Sequence, residues 1–241
     1  RALYKNRLMM LDLIANNNWK RPIYFSGGAY DDEDFLWMKN YLQLDGMTYK
    51  LVPIKTEIPK DASPLEMGGI DTDKMYANVM KWDWGNSESL SIYHDPETRK
   101  NSITYRSYLS RLMNQLILEG KKEKAKNIIT LAMNKMPLEQ FGYYSLLEPF
   151  AKGYYDLGEN AKAQDLLSKL ILKYKENLKY YSSLTPSDQT SLAIDIITDI
   201  ERYRSLLLVM KESGDVTFYN KNKAQFNTYV SIFERFGREK E

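Results

Sequence analysis

One internal echo restricts the fold more than any other feature of this sequence. Leu118-Glu119-Gly120-Lys121-Lys122-Glu123-Lys124-Ala125 recurs as Asp156-Leu157-Gly158-Glu159-Asn160-Ala161-Lys162-Ala163, with Gly in register and Ala five residues later. Self-similarity of this kind marks a repeated supersecondary unit. Here it predicts two helical hairpins, each with Gly in the turn and a small Ala that lets the second helix approach the first.

The chain from Asp95 onward is patterned as helix. Asp95 before Pro96 is a helix start, since the carboxylate accepts from free backbone amides and proline fits the first helical position. Thr185, Pro186 and Asp188 repeat the device ahead of a long helix expected to run toward Gly214. The Gly and Ala positions resemble those of a TPR hairpin, with Ala132 and Pro137 adding to the first copy and Ala151 and Tyr154 to the second. A third candidate at Gly214 lacks the following Ala. Arrays of this type need about three repeats to stand alone, so a short TPR-like bundle that leans on its neighbours is expected.

The beginning of the chain reads differently. Leu8 to Ile14 forms a short helix stopped by Asn16, Asn17 and Asn18. Pro22 to Ser26 forms a strand closed by Gly27 and Gly28, Asp34 to Leu44 a helix, and Tyr49 to Ile54 a second strand. A helix between two strands normally makes them parallel neighbours. The loop composition of Glu57 to Asp73 and the aromatic, Gly-broken run from Met75 to Tyr93 follow. The expected fold is therefore mainly α: TPR-like helical hairpins following a small N-terminal α/β unit of strand, helix and strand. The expected divisions are 1–60 for the α/β unit, 61–94 for an aromatic bridge and 95–241 for the helical domain.

Charge and composition exclude several functions. With 34 Lys plus Arg against 32 Asp plus Glu the net charge is +2, too little for a phosphate-backbone footprint, so no nucleic acid partner is expected. No apolar run reaches the roughly 20 residues of a membrane-crossing helix, and Leu206 to Met210 is flanked closely by charge. The sequence starts at Arg1 without a leader pattern, which reads as a piece of a longer protein. The absence of cysteine removes disulfides and thiol chemistry and is silent on compartment.

No cofactor is expected. Gly27-Gly28 after a strand invites a phosphate loop, but Asp31, Asp32, Glu33 and Asp34 would repel the anion, and neither a dinucleotide nor a P-loop signature is present. His94, the single histidine, is thin material for zinc or for a catalytic triad and reads as a turn residue ahead of Asp95. Asp195 and Asp199 could pair as glycosidase carboxylates. The interleaved Glu201, Arg202 and Arg204 favour an ion-paired helix face instead. No catalytic, cofactor-binding or metal residue is assigned. The 19 tyrosines offer a different chemistry: Tyr143, Tyr144, Tyr154, Tyr155, Tyr180 and Tyr181, with Trp82 and Trp84, supply rings for a flat ligand, core packing being the competing explanation.

Larger blocks carry a family resemblance. Lys20-Arg21-Pro22-Ile23-Tyr24-Phe25-Ser26, Tyr41-Leu42-Gln43-Leu44-Asp45-Gly46, Trp82-Asp83-Trp84-Gly85-Asn86, Tyr93-His94-Asp95-Pro96-Glu97-Thr98-Arg99 and the ending Phe233-Glu234-Arg235-Phe236-Gly237 resemble the C-terminal region of a bacterial family of multi-pass membrane proteins related to protein O-mannosyltransferases. The resemblance implies an upstream membrane domain of the same chain that transfers a sugar from a lipid-phosphate donor. It implies a catalytic acid in an earlier loop, outside this sequence. The present residues would then lie on the periplasmic side of a bacterial inner membrane, meeting a protein or glycan acceptor.

Overall fold

The computed structural model describes residues 4–26, 35, 37–58 and 66–236. Gly27, Gly28 and the acidic residues 31–34, weighed above as an anion loop, lie outside the described residues. The chain divides into two compact units, Arg1–Gly142 and Tyr143–Glu241. The described residues are mainly α-helical, with one small four-stranded sheet near the N-terminus.

In the first unit, α1 spans Lys5–Asn17 and ends where Asn18 takes the left-handed conformation, φ 48°. Asparagine tolerates that region better than most residues, so the stop expected at Asn16–Asn18 is where the helix ends. β1 is Tyr24–Ser26, β2 Leu42–Asp45, β3 Thr48–Leu51 and β4 Gly69–Ile70, in the spatial order β1-β3-β2-β4. Of the stretch expected as a helix, Asp34–Leu44, Phe35 is helical and Asp34 and Leu36 lie outside the described residues; Lys39–Tyr41 is one 3₁₀ turn, and β2 follows directly where the helix was expected to continue. The reason is period two: Leu42 and Leu44 are buried while Gln43 and Asp45 are half-exposed, and Tyr49 and Leu51 repeat this across the hairpin. The two strands foreseen by sequence, β1 and β3, are neighbours but antiparallel, with Phe25 opposite Tyr49. β2 and β3 form a hairpin whose two-residue turn begins at Gly46, φ +65°; only β4 runs parallel to a neighbour.

Two helices cover the buried face of this sheet. α2 (Thr72–Val79) starts on Asp71, whose side chain accepts from the Lys74 amide, and buries Met75 and Val79. Part of the run read as an irregular aromatic bridge is thus helical. α3 (Pro96–Leu118) starts as expected on Asp95, which accepts from the Glu97 and Thr98 amides. Its Tyr108 ring meets Tyr49 edge-on at 5.8 Å, tying helix to sheet. Leu109, Leu112, Met113 and Leu116 of α3 are fully buried, as are Ala125, Ile128, Ile129 and Ala132 of α4 (Lys122–Lys135).

α3 also buries a cation. Arg106 is inaccessible to solvent; its Nη1 donates to the Gly142 carbonyl at 2.5 Å and its Nη2 to the Met136 carbonyl at 2.8 Å. Met136 caps α4, and Gly142 caps the short α5 (Leu138–Phe141). The guanidinium therefore sits at the negative ends of two helices. Burial draws its pKa down to about 10, which leaves it charged at neutral pH.

The second unit is built from helices. α6 (Glu148–Asp156) and α7 (Asn160–Ser182) form one hairpin; α8 (Pro186–Ser191) follows; α9 (Ala193–Glu212) and α10 (Val216–Ile232) form another. Thr185 caps α8 by accepting from the Asp188 amide, as the sequence suggests. The single long helix expected from there to Gly214 is interrupted at Leu192, which leaves helical geometry at φ −104°, ψ 16°. α9 packs against both α7 and α10, and Tyr203 meets Phe226 at 5.2 Å.

One turn recurs three times. At Gly120 the Lys121 amide donates to the Leu116 carbonyl and the Gly120 amide to Ile117; at Gly158 the pairs are Glu159 to Tyr154 and Gly158 to Tyr155; at Gly214 they are Asp215 to Met210 and Gly214 to Lys211. This is the Schellman arrangement, which closes a helix on one residue at positive φ. The hairpins at Gly120 and Gly158 are those the echo predicts. The third, at Gly214, is the candidate that lacks the following Ala: Tyr219 stands where the other two copies have it.

No heavy atom lies within 4 Å of the Cβ that Gly158 lacks, so conformation alone requires glycine there, at φ +77°. Gly158→Ala should cost about 1–2 kcal/mol through the left-handed backbone. Ala163→Leu, at a fully buried position, should cost about 1–3 kcal/mol by overpacking. Unchanged urea midpoints for both would show that the hairpin is not built this way. Arg106→Met should cost about 2–3 kcal/mol, because two buried carbonyls lose their donor. Equal stability of the variant, read by calorimetry, would contradict that account.

Candidate binding surfaces

The aromatic run after α2 belongs to the first unit. Trp82 and Trp84 lie 5.6 Å apart, and both rings approach Tyr105 of α3 at 5.4 Å. Trp82 also covers the β2–β3 turn, 3.3 Å from where Gly46 would carry a Cβ. Both tryptophans are half-buried. The following residues are fastened to the helical part of the unit: the Ser87 hydroxyl donates to the Lys135 carbonyl, Lys135 pairs with Glu88, and Gln140 donates to the Ser89 carbonyl. The Lys135 ammonium holds the Glu88 carboxyl below its ordinary value.

His94 sits 2.8 Å from the Ser87 carbonyl through Nε2 and lies on Phe141 at 4.6 Å. It helps border a cleft of about 360 Å³ with Tyr93, Arg99 and Gln140. Among the described residues no group of three His, Cys, Asp or Glu side chains could hold a metal ion.

In the second unit the six tyrosines have different surroundings. Tyr155 is buried, and its hydroxyl donates to Asp215 Oδ2 at 2.8 Å. Asp215 also accepts from Gln164 and from the Phe218 amide, so one carboxylate joins α6, α7 and the start of α10. Burial, reinforced by Asp215, raises the Tyr155 hydroxyl well above its usual pKa. This ring belongs to the interior.

Tyr154 is half-buried beneath the Lys162 ammonium, 5.9 Å from the ring centroid. Tyr143 is half-buried at φ 48° ahead of the 3₁₀ turn Tyr144–Leu147, and Tyr144 is half-buried as well. Tyr180 is exposed, with Tyr181 half-buried beside it at 5.8 Å. Tyr155 and Tyr181 thus turn further inward than Tyr154 and Tyr180, as adjacent residues on a helix must, while Tyr143 and Tyr144 are both half-buried.

Close to Tyr181 lies Asp199, the one buried carboxylate among the described residues. Asp199 is 5% exposed, accepts from Asn177 at 2.8 Å, and has Arg202 at 3.9 Å. Burial raises its pKa, an effect opposed by the Asn177 hydrogen bond and the Arg202 charge. Asp195, one turn earlier, is exposed. Arg204 pairs with Glu201 at 2.9 Å, so part of this face is ion-paired. Asp199 is legible as buried only once α7 is known to cover that side of α9.

Comparison with known proteins adds one finding. Residues 1–74 match the family model described as TMEM260-associated domain 2. The match covers α1, the four strands and the start of α2; the helical hairpins lie outside it. No curated protein and no solved structure matches the chain. Among the described residues no helix is long and apolar enough to cross a membrane.

A carboxyl whose pKa is raised by folding weakens the fold once it ionises, so stability should fall as pH climbs from the ordinary carboxylate range through the raised value. Asp199→Asn, which keeps an acceptor for Asn177, should therefore raise the melting temperature at pH 7 and make little difference in acid. A lower melting temperature at pH 7 would show that the ionised form is the one the fold favours.

Proposed function

We propose that this chain is a non-catalytic accessory domain of a membrane glycosyltransferase-like protein, acting on the periplasmic face of a bacterial inner membrane. In this reading it positions a protein or glycan acceptor, or scaffolds partners, through TPR-like hairpins, while donor and catalytic acid belong to an upstream membrane domain of the same chain. The observation that carries the reading is the match of residues 1–74 to TMEM260-associated domain 2. It agrees with the resemblance of the longer sequence blocks to the C-terminal region of O-mannosyltransferase-related membrane proteins. The repeated glycine turn supports hairpins that stack as TPR units do. The binding face would use Tyr180, Tyr181, Tyr154 and the half-buried Tyr143 and Tyr144, while Tyr155 serves packing. Trp82 and Trp84 offer rings of the same kind in the first unit.

A second reading, a free-standing carbohydrate- or peptide-binding module of TPR type, draws on the exposed Tyr180 with Tyr181 beside it. Rings of this sort stack on sugar faces and on extended peptides.

The purified chain should turn over neither a lipid-linked sugar nor a glycoside, and should capture an acceptor peptide or glycan in titration calorimetry. Tyr180→Ala should weaken capture severalfold with an unchanged melting temperature, because an exposed ring contributes little to folding. Turnover by the isolated chain removes the accessory reading. Capture that survives loss of Tyr180, Tyr181 and Tyr154 together removes the tyrosine face.

A further inference from the structure

We infer that the cleft beside the start of α3 binds the carboxylate of an acidic sugar, a uronic acid residue of a glycan. Its wall joins the segment 90–94, Arg99 near the start of α3 and Gln140 of α5, around a volume of about 360 Å³. That is the small end of the range for small-molecule pockets, room for one ring and its substituents. Arg99 is half-buried, and no acceptor among the described residues reaches its guanidinium. Its Nε is shut off from solvent without a partner, while the two terminal nitrogens are neither buried nor bonded. Gln140 donates from Nε2 to the Ser89 carbonyl, but its Oε1 is likewise buried and unpaired. Six buried side-chain atoms among the described residues lack a partner, and two of them belong to this one cleft. Native proteins leave few such groups, so this unmet hydrogen-bonding capacity marks a site rather than a packing gap.

The charges around the cleft select a single carboxylate. The segments 88–100 and 135–141, which contain its wall, carry Glu88, Asp95, Glu97 and Glu139 against Arg99, Lys100 and Lys135, a net of −1. Such surroundings turn away polyanions, so neither a nucleic acid nor an anionic bilayer suits them. Most of these charges are already matched. Lys135 pairs with Glu88 and Lys100 with Glu97, and Asp95 accepts from the Glu97 and Thr98 amides and from the Thr98 hydroxyl. Glu139 is exposed and does not line the cleft. Arg99 is the cation left over, and a guanidinium can hold one carboxylate through two parallel N–H donors. The other groups suit a sugar. Tyr93 is 82% exposed, an open ring for the apolar face of a pyranose. The His94 Nε2 proton goes to the Ser87 carbonyl, which in the neutral ring leaves Nδ1 as an acceptor for a hydroxyl. A peptide end is disfavoured, because the lining residues belong to turns and helices and offer no strand edge to pair an extended chain.

The cleft lies in the first unit, apart from the tyrosine face proposed above, and neither site depends on the other. The 241-residue chain is titrated by ligand-observed NMR with three probes. These are methyl β-glucuronide, methyl β-glucoside, in which a hydroxymethyl group replaces the carboxylate, and N-acetyl-leucine as a peptide end. The expected result is saturable glucuronide binding in the millimolar range or tighter, with the glucoside about tenfold or more weaker for want of the charge-assisted pair. Arg99→Gln should bring the glucuronide down to the glucoside level, and Tyr93→Ala should weaken both glycosides severalfold. Circular dichroism checks folding, and the exposed Tyr93 tests the site even where Arg99→Gln fails to fold. No saturable glucuronide binding, equal binding of the two glycosides, glucuronide binding untouched by either substitution in a folded variant, or N-acetyl-leucine held as tightly as the glucuronide would each overturn the inference. Any of those results would leave acceptor capture through Tyr180 standing, and loss of that capture would leave the cleft standing.

Discussion

A helix that must reverse within two residues has to place one residue at positive φ, and three of the hairpins in this chain depend on that requirement. At Gly120, Gly158 and Gly214 the same two backbone hydrogen bonds close the first helix and aim the next back along it. Packing follows from this geometry. Once the turn is set, the residue five positions on lies against the preceding helix. Ala125 and Ala163 are small enough for the backbones to close up, and both are fully buried. At Gly214 the turn is retained with Tyr219 in that place, so the turn and the close seam are separable devices.

That separation explains what was legible in the sequence. Turns and caps are local chemistry: Asn18, Asp95 and Thr185 act within a few residues, and each ends or begins a helix where its side chain or backbone preference says it should. The third hairpin shows only its Gly, because Tyr219 replaces the Ala that marks the other two. β2 was hidden for another reason. Phe35, Trp37, Met38, Tyr41, Leu42 and Leu44 satisfy a helical period as well as a strand period, and only the facing residues Tyr49, Leu51 and Met75 decide between them. Asp45-Gly46 was a hairpin signal in plain sight, since a turn of two residues beginning with glycine suits antiparallel strands.

The candidate surfaces were legible by composition and illegible by direction. Doublets such as Tyr154-Tyr155 announce that one ring turns inward, but which one depends on the neighbour that covers it, and here Asp215 at the head of α10 claims Tyr155. Trp82 and Trp84 were visible as unusual residues; their gathering around Tyr105 depends on a helical residue more than 20 positions further on. Arg106 gave no signal at all. Its sequence neighbours are those of an ordinary solvated arginine, and its burial is a consequence of where α4 and α5 end.

The two recorded acceptors of Arg106 are main-chain oxygens, at Met136 and Gly142, and the dipoles behind them exist only while the helices that end there are wound. A carboxylate partner would keep its charge through partial unravelling; these acceptors would not. Fraying of α5 would leave a desolvated cation facing a field that has vanished, so the last turn of α4, the whole of α5 and the middle of α3 should open together. A side chain buried for its charge thereby makes a four-residue helix, too short to persist by itself, part of one all-or-none melting unit.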